Sequence, residues 1–247
     1  MVIYILWLRQ IKRYIRARSR IIGALGQPLL YLLALGFGLG PVFARAGAGN
    51  YLQFLVPGVI AQSILFTSIF AGIEVIWDKQ FGFLKETLVA PVSRWEIMIG
   101  RTLGGATVAT FQGLIVLAIS FILGFRPTNY LFLFFVPFYM AIIAILFTSL
   151  GTAIASFVED MQGFQLIMNF LVLPLYFLSG ALFPLKGIPP ALQFIALLDP
   201  LTYGVDGMRH LLSNTGQLPF GIDILVLSAI TFILLTIGTY LFSKIQI

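Results

Sequence analysis

Hydrophobic positions run along this chain in six long blocks separated by short basic or turn-forming breaks. The blocks are residues 21–43, 53–77, 102–125, 130–157, 164–183 and 221–243. Each has at least the ~20 helical residues that span a hydrocarbon core of about 30 Å. Glu74 and Asp223 are the charges inside them, and both sit near a block end. A charge at mid-bilayer costs at least about 2.5 kcal/mol, so the blocks suit lipid or one another. The pattern predicts an all-α polytopic membrane protein with six transmembrane helices.

The breaks carry their own periodicity. In residues 1–20, at about 100° per residue, Trp7, Ile11, Tyr14 and Ile15 share one side. Arg9, Lys12, Arg13, Arg16 and Arg20 share the other, and Arg18 falls among the apolar positions. This predicts an amphipathic interfacial helix whose basic face meets anionic head groups or a protein partner; anchoring the first span is a sufficient role by itself. In the loop at 78–92, Phe81, Leu84 and Leu88 at i, i+3, i+7 predict a short surface helix, with Lys85 and Glu86 turned away and Pro91 ending it. Ser93 with Glu96 forms a capping box, so the third spanning helix (93–125) starts before it enters the membrane, with Trp95 and Arg101 at the interface. The segment 184–212 contains an apolar piece, 187–198, too short to cross. Pro189 and Pro190 open it and Asp199 with Pro200 makes a corner, which predicts a re-entrant or interfacial helix pair before the last span. Asp206 there can reach Arg209 or His210 on one helical face.

Composition narrows the picture. With 247 residues, 60% hydrophobic and 10% charged, no room remains for a soluble domain beside six spans, so residues 1–247 are expected to form one membrane domain. A basic run follows the first apolar residues, so no cleaved signal peptide is expected. The net charge of +6 reads as topology and not as nucleic-acid binding. With the amino terminus inside, eleven basic residues fall on the inner side and four on the outer. Both termini are therefore expected in the cytoplasm of a cell whose plasma or inner membrane holds the chain.

Several chemistries are missing. There is no cysteine, hence no disulfide or thiolate site. None of the five lysines follows a glycine, which excludes a Walker A loop on this chain. His210 is the single histidine, so no histidine cluster exists and no metal site is expected. The mid-membrane polar groups are amides and hydroxyls such as Gln27, Gln62, Gln112, Thr148 and Asn169, which do not suit an ion-coupled carrier. If the chain transports, its energy arrives from outside the membrane domain. A lipid-modifying membrane enzyme would want clustered acids, and Glu159 with Asp160 has no third acid near it in sequence. A purely structural scaffold is the remaining class.

The amphipathic first helix, six spans, the ETLVAPVSRWEI loop and the FLSGALFP…IPP…LDPLTYGVDGMR segment together resemble the type-2 permease family of ABC exporters, over the whole chain. The resemblance implies a permease subunit, not an enzyme, paired with a second copy and with two copies of a separate ABC ATPase that bind ATP and magnesium. It implies a coupling helix at Phe81, Leu84, Lys85, Glu86, Thr87, Leu88, Pro91, Ser93 and Arg94. The basic first helix (Arg9, Lys12, Arg13, Arg16) corresponds to the family's connecting helix. Pro184, Pro189, Pro190, Asp199, Pro200, Tyr203, Asp206 and Arg209 correspond to its outer re-entrant segment, where many relatives have Asn at the place of Asp199. The second and fifth spans would line the substrate path, with Gln62, Phe66 and Phe70 on one face and Asn169, Leu173 and Phe177 on another; such rows also serve packing alone. The implied function is export of an amphipathic drug-like or lipid-linked compound, with a polysaccharide or lipo-oligosaccharide as the alternative cargo. Membrane lipids are expected partners and nucleic acid is not.

Overall fold

The structure, a computed structural model, describes residues 1–45, 49–83 and 92–243. Among these residues the chain is helical and no strand occurs. Among the described residues, six helices are long and apolar enough to cross a membrane: α2 (Arg18–Arg45), α3 (Tyr51–Gln80), α4 (Arg94–Ile122), α5 (Val136–Phe157), α6 (Met161–Leu178) and α9 (Phe220–Ser243). A separate helix, α1 (Val2–Arg16), precedes them, and α7 (Pro190–Leu198) and α8 (Pro200–Ser213) lie between α6 and α9.

The predicted spans appear with shifted ends, and local chemistry explains the shifts. Residues 130–134, expected inside a span, form a 3₁₀ turn started by Asn129, whose side chain accepts from Leu131 N–H, and the α-helix begins only at Val136 beside Pro137. α6 starts early, at Met161, because the Asp160 carboxylate accepts the Gly163 N–H at 2.6 Å. In α2, Pro28 lacks the N–H for the normal ladder, and the next turn, Tyr31–Leu35, is wound as a π-helix.

The packed centre is α3, α4 and α5, with α9 along α5. Glycine sets how close these helices come. A Cβ at Gly72 would run into the Gly151 carbonyl and one at Gly151 into the Ile69 carbonyl, so α3 and α5 cross backbone to backbone. α2 and α6 flank this centre and leave wide apolar faces open. α6 buries Phe164, Met168, Val172 and Tyr176, a single row at i, i+4, i+8, i+12, and Tyr176 stacks on Tyr31 of α2 at 5.8 Å between ring centroids.

α1 corrects the sequence-based picture. Its buried residues are Leu6, Gln10 and Tyr14, whereas Ile15, assigned to the apolar face, is exposed and Trp7 only half-buried. The cause lies on α4. A Cβ at Gly100 would press on Leu6 and Ile3 at 3.0–3.1 Å, and one at Gly104 on Gln10 at 2.6 Å, so α1 seats in a groove that two glycines four residues apart leave open. Trp7 Nε1 donates to Thr107 Oγ1 at 3.0 Å and the Tyr14 hydroxyl to the Gln112 amide oxygen, which fixes the helix along α4.

Candidate functional site

Charge collects where α1, α3 and α4 meet. Arg9 and Arg13 are four residues apart on α1, and Glu74 and Asp78 are four apart on the last turns of α3, so the two pairs face each other in register. Arg9 forks onto both Asp78 oxygens at 3.0 and 3.2 Å. Arg13 lies 3.5 Å from Glu74 and 3.8 Å from Asp78, and Arg20 reaches Glu74 at 2.9 Å. From the other side Arg101 of α4, 2% exposed, meets Asp78 at 2.6 Å. Asp78 is itself buried and thus serves two helices. The Arg9 guanidinium also lies 3.8 Å from the centroid of the Phe83 ring, just past the end of α3.

The next two residues tie a third element to this point. Lys79 Nζ donates to the carbonyls of Ala155, Ser156 and Val158 at 3.0, 2.7 and 3.3 Å. These are orphan carbonyls at the carboxyl end of α5, where a cation is favoured by both hydrogen bonding and the helix dipole. Gln80 adds a bond to the Glu159 carbonyl at 3.4 Å. The stretch 78–80, at the mouth of the loop, is thereby anchored to α1, α4 and the α5–α6 turn.

The predicted loop residues divide. Leu84, Lys85, Glu86, Thr87, Leu88 and Pro91 lie outside the described residues. Phe81 caps α3 and is exposed against Trp77, and Gly82 follows at φ +76°, so the predicted surface helix does not begin at Phe81; the chain turns there instead. The Ser93–Glu96 capping box is present in both directions and starts α4 at Arg94. Arg101, expected at the interface, is buried instead, because Asp78 neutralises it. Of the basic residues expected on an open face, Lys12 and Arg16 are exposed while Arg9 and Arg13 turn to the acids of α3. The reciprocal i, i+4 spacing of 9/13 and 74/78 was the signal available in the sequence for this cluster.

Between α2 and α3 lies a recess of about 200 Å³. Gln62, Phe66 and Phe70 line it together with Ser63 and, across from them, Gln27 and Pro28. Gln62 is buried with neither amide atom hydrogen-bonded, and Ser63 Oγ is likewise unpartnered. Phe66 and Phe70 stack at 6.3 Å. The second predicted row is not brought to this recess. Asn169, Leu173 and Phe177 lie on the open face of α6.

Comparison with known proteins gives the architecture its family. The model of the ABC-2 type transporter family matches residues 1–213. Nodulation protein J of Rhizobium leguminosarum bv. viciae is 30% identical over 195 residues, covering 78% of this chain and 74% of that protein. The chain belongs to the ABC-2 type transporter family. Other relatives agree: the putative transport permease ycf38 of Cyanophora paradoxa is 30% identical over 201 residues (80% of this chain, 69% of the relative). The inner membrane transport permease YadH of Escherichia coli K12 is 28% identical over 212 residues (83% and 80%). The ABC-2 assignment makes the chain a multi-pass transport permease and implies an ABC ATPase as its partner.

In this ABC-2 permease the predicted segment 184–212 sits at the end of the bundle remote from the charged junction. Pro184 and Pro189 lead to Pro190, which opens α7. Asp199 caps α8 by accepting the Leu201 N–H at 2.8 Å, and Pro200 is the first residue of that helix. The corner is tied by Thr202 to the Ala196 carbonyl at 2.6 Å and by the Tyr203 hydroxyl to the Leu197 carbonyl at 2.8 Å. α8 is buried along most of its length against α3, α5 and α9. Arg209 donates to the Gly180 carbonyl at 2.6 Å and lies 4.0 Å from the Phe54 ring centroid, while Asp206 accepts the Gln217 and Leu218 N–H groups. Burial lowers the Arg209 guanidinium to about 10, with Asp206 and Tyr51 opposing the shift, so it stays charged at neutral pH.

Proposed function

We propose that this permease exports an amphipathic, drug-like or lipid-linked compound, driven by a separate ABC ATPase that binds ATP and magnesium. Two permease copies and two ATPase copies form the working unit. The end that carries α1 and the charged junction faces the cytoplasm, together with both termini, and the α7–α8 end faces outward. The loop through 81–94 rests on the ATPase, Lys12 and Arg16 extend that contact from α1, and the outward pair α7–α8 caps the path.

The observation that carries this reading is the anchoring of residues 78–80 to three elements at once. A displacement applied to the loop by a partner is delivered to α1, α4 and the α5–α6 turn together, whereas a free loop would absorb it. The recess at Gln62 supports the cargo class, because it pairs aromatic walls with amide and hydroxyl groups that have no partner of their own. The open row on α6 supports the second copy. Asn169 stands there among Leu166, Phe170, Leu173 and Phe177, and an amide facing lipid gains by meeting another helix.

The test is ATP hydrolysis by the cognate ABC ATPase reconstituted in liposomes with and without this permease. Hydrolysis is expected to depend on the permease and to fall in Glu86→Ala while the membrane helices remain folded. Hydrolysis indifferent to both would contradict the assignment.

A further inference from the structure

Asp206, His210 and Asp223 come together at the α7–α8 end of the bundle, with ligand-capable atoms all within 4.8 Å of one another. Asp206 and His210 are one helical turn apart on α8, and Asp223 belongs to the first turn of α9. Asp223 is fully buried, and neither of its carboxylate oxygens has a hydrogen-bond partner. A buried carboxylate without a partner is costly, and only a proton or a cation relieves it. The neighbouring guanidinium does not serve, since Arg209 is turned to the Gly180 carbonyl and the Phe54 ring.

We propose that these three side chains hold a divalent transition-metal ion, zinc by its ligand chemistry, which pins α8 to α9. Two carboxylates and one imidazole are hard-to-borderline donors suited to zinc, and their charge balances the ion. Ligands spaced i, i+4 on one helix face form the recurrent half of helical zinc sites. The supporting shell is in place. The Gln217 and Leu218 N–H groups hold both Asp206 oxygens at 2.8–3.0 Å, fixing the side chain's orientation, and His210 Nε2 lies 3.7 Å from Asp206 Oδ2. Nε2 also lies 2.5 Å from the Leu218 carbonyl, so the ion replaces the Nε2 proton now directed there. Zinc ligands stand about 3.3 Å apart for bonds of about 2.0–2.1 Å, so side-chain rotation must draw the three atoms inward. Gly216 covers the imidazole so closely that a Cβ would strike the ring. A recess of about 170 Å³, lined by Lys186, Gln193, Arg209 and Gln217 among others, reaches Asp206.

The test uses untagged, chelator-stripped full-length permease in nanodiscs, titrated with Zn²⁺, Mn²⁺, Ca²⁺ and Mg²⁺. One zinc per chain is expected, with a raised melting temperature. Asp223→Asn and His210→Ala should each weaken zinc by at least about tenfold. X-ray absorption of the zinc-loaded wild-type protein should show one nitrogen among oxygen ligands at about 2.0–2.1 Å, a readout that needs no variant to fold. Zinc bound at less than one per chain, wild-type affinity in Asp223→Asn, or an all-oxygen shell would each overturn the proposal. So would a metal-free melting temperature that Asp223→Asn raises and zinc leaves unmoved, the signature of a proton in the site.

Discussion

Arg101 is accommodated inside the bundle because the Asp78 side chain lies 2.6 Å away, and Arg9 closes the other side of Asp78. Breaking such a pair from one end leaves an uncompensated buried charge, a loss of about 3–5 kcal/mol. Asp78→Leu, which strands the buried Arg101, should therefore lower the melting temperature of the purified permease sharply. The double replacement Asp78→Leu with Arg101→Leu should recover most of the loss, since Arg9 is exposed enough to hydrate. A single variant as stable as wild type in thermal unfolding would count against the pair. Asp199 is the opposite case, a buried acid with one oxygen unpartnered. Burial raises its carboxyl from 3.8 to about 8, with the Leu201 N–H opposing. The folded state thus holds the proton more tightly than the unfolded chain. This contribution is complete below the ordinary value of 3.8 and is lost as pH rises through about 8. Asp199→Asn keeps an oxygen for the cap and removes the slope. Its melting temperature should gain on wild type progressively from about pH 4 to pH 8, and parallel curves would contradict the account.

At the scale of elements, the spans were legible because hydropathy is a local property: a window of apolar residues reads the same whatever it packs against. The capping box at Ser93 was legible for the same reason, being a four-residue pattern. The seating of α1 was not, because its buried face is chosen by a groove on α4 nearly a hundred residues away. Gln10 becomes buried where Gly104 lets it approach, and no periodicity within α1 encodes that. The third member of the metal-type cluster was hidden likewise: a single histidine argued against a site, and only the fold brings Asp223 to the Asp206–His210 pair. Gly104→Leu should lift α1 off α4 while leaving the six apolar helices intact. Proteolysis of oriented vesicles should cut within residues 1–20 at least about tenfold faster, as local opening exposes that backbone. Cutting at the wild-type rate would show that the groove does not hold the helix.

At the scale of the whole molecule, the fold divides into a tightly crossed centre of α3, α4 and α5, flanking helices with open faces, and two specialised ends. The end with α1 concentrates charge into a junction tied to three elements: acid to base across α1 and α4, and Lys79 onto the carboxyl end of α5. The other end is closed by α8 packed against α3, α5 and α9. On the proposed function, this ABC-2 permease converts motion at the loop into rearrangement of the membrane helices. The most direct measurement is ATP hydrolysis by the reconstituted permease–ATPase complex carrying Arg9→Ala or Lys79→Gln, two side chains at the rim of the junction. With the complex still assembled, permease-dependent hydrolysis should fall at least about tenfold, roughly 1.4 kcal/mol of lost coupling. Wild-type hydrolysis in both variants would contradict the claim that this junction carries the coupling.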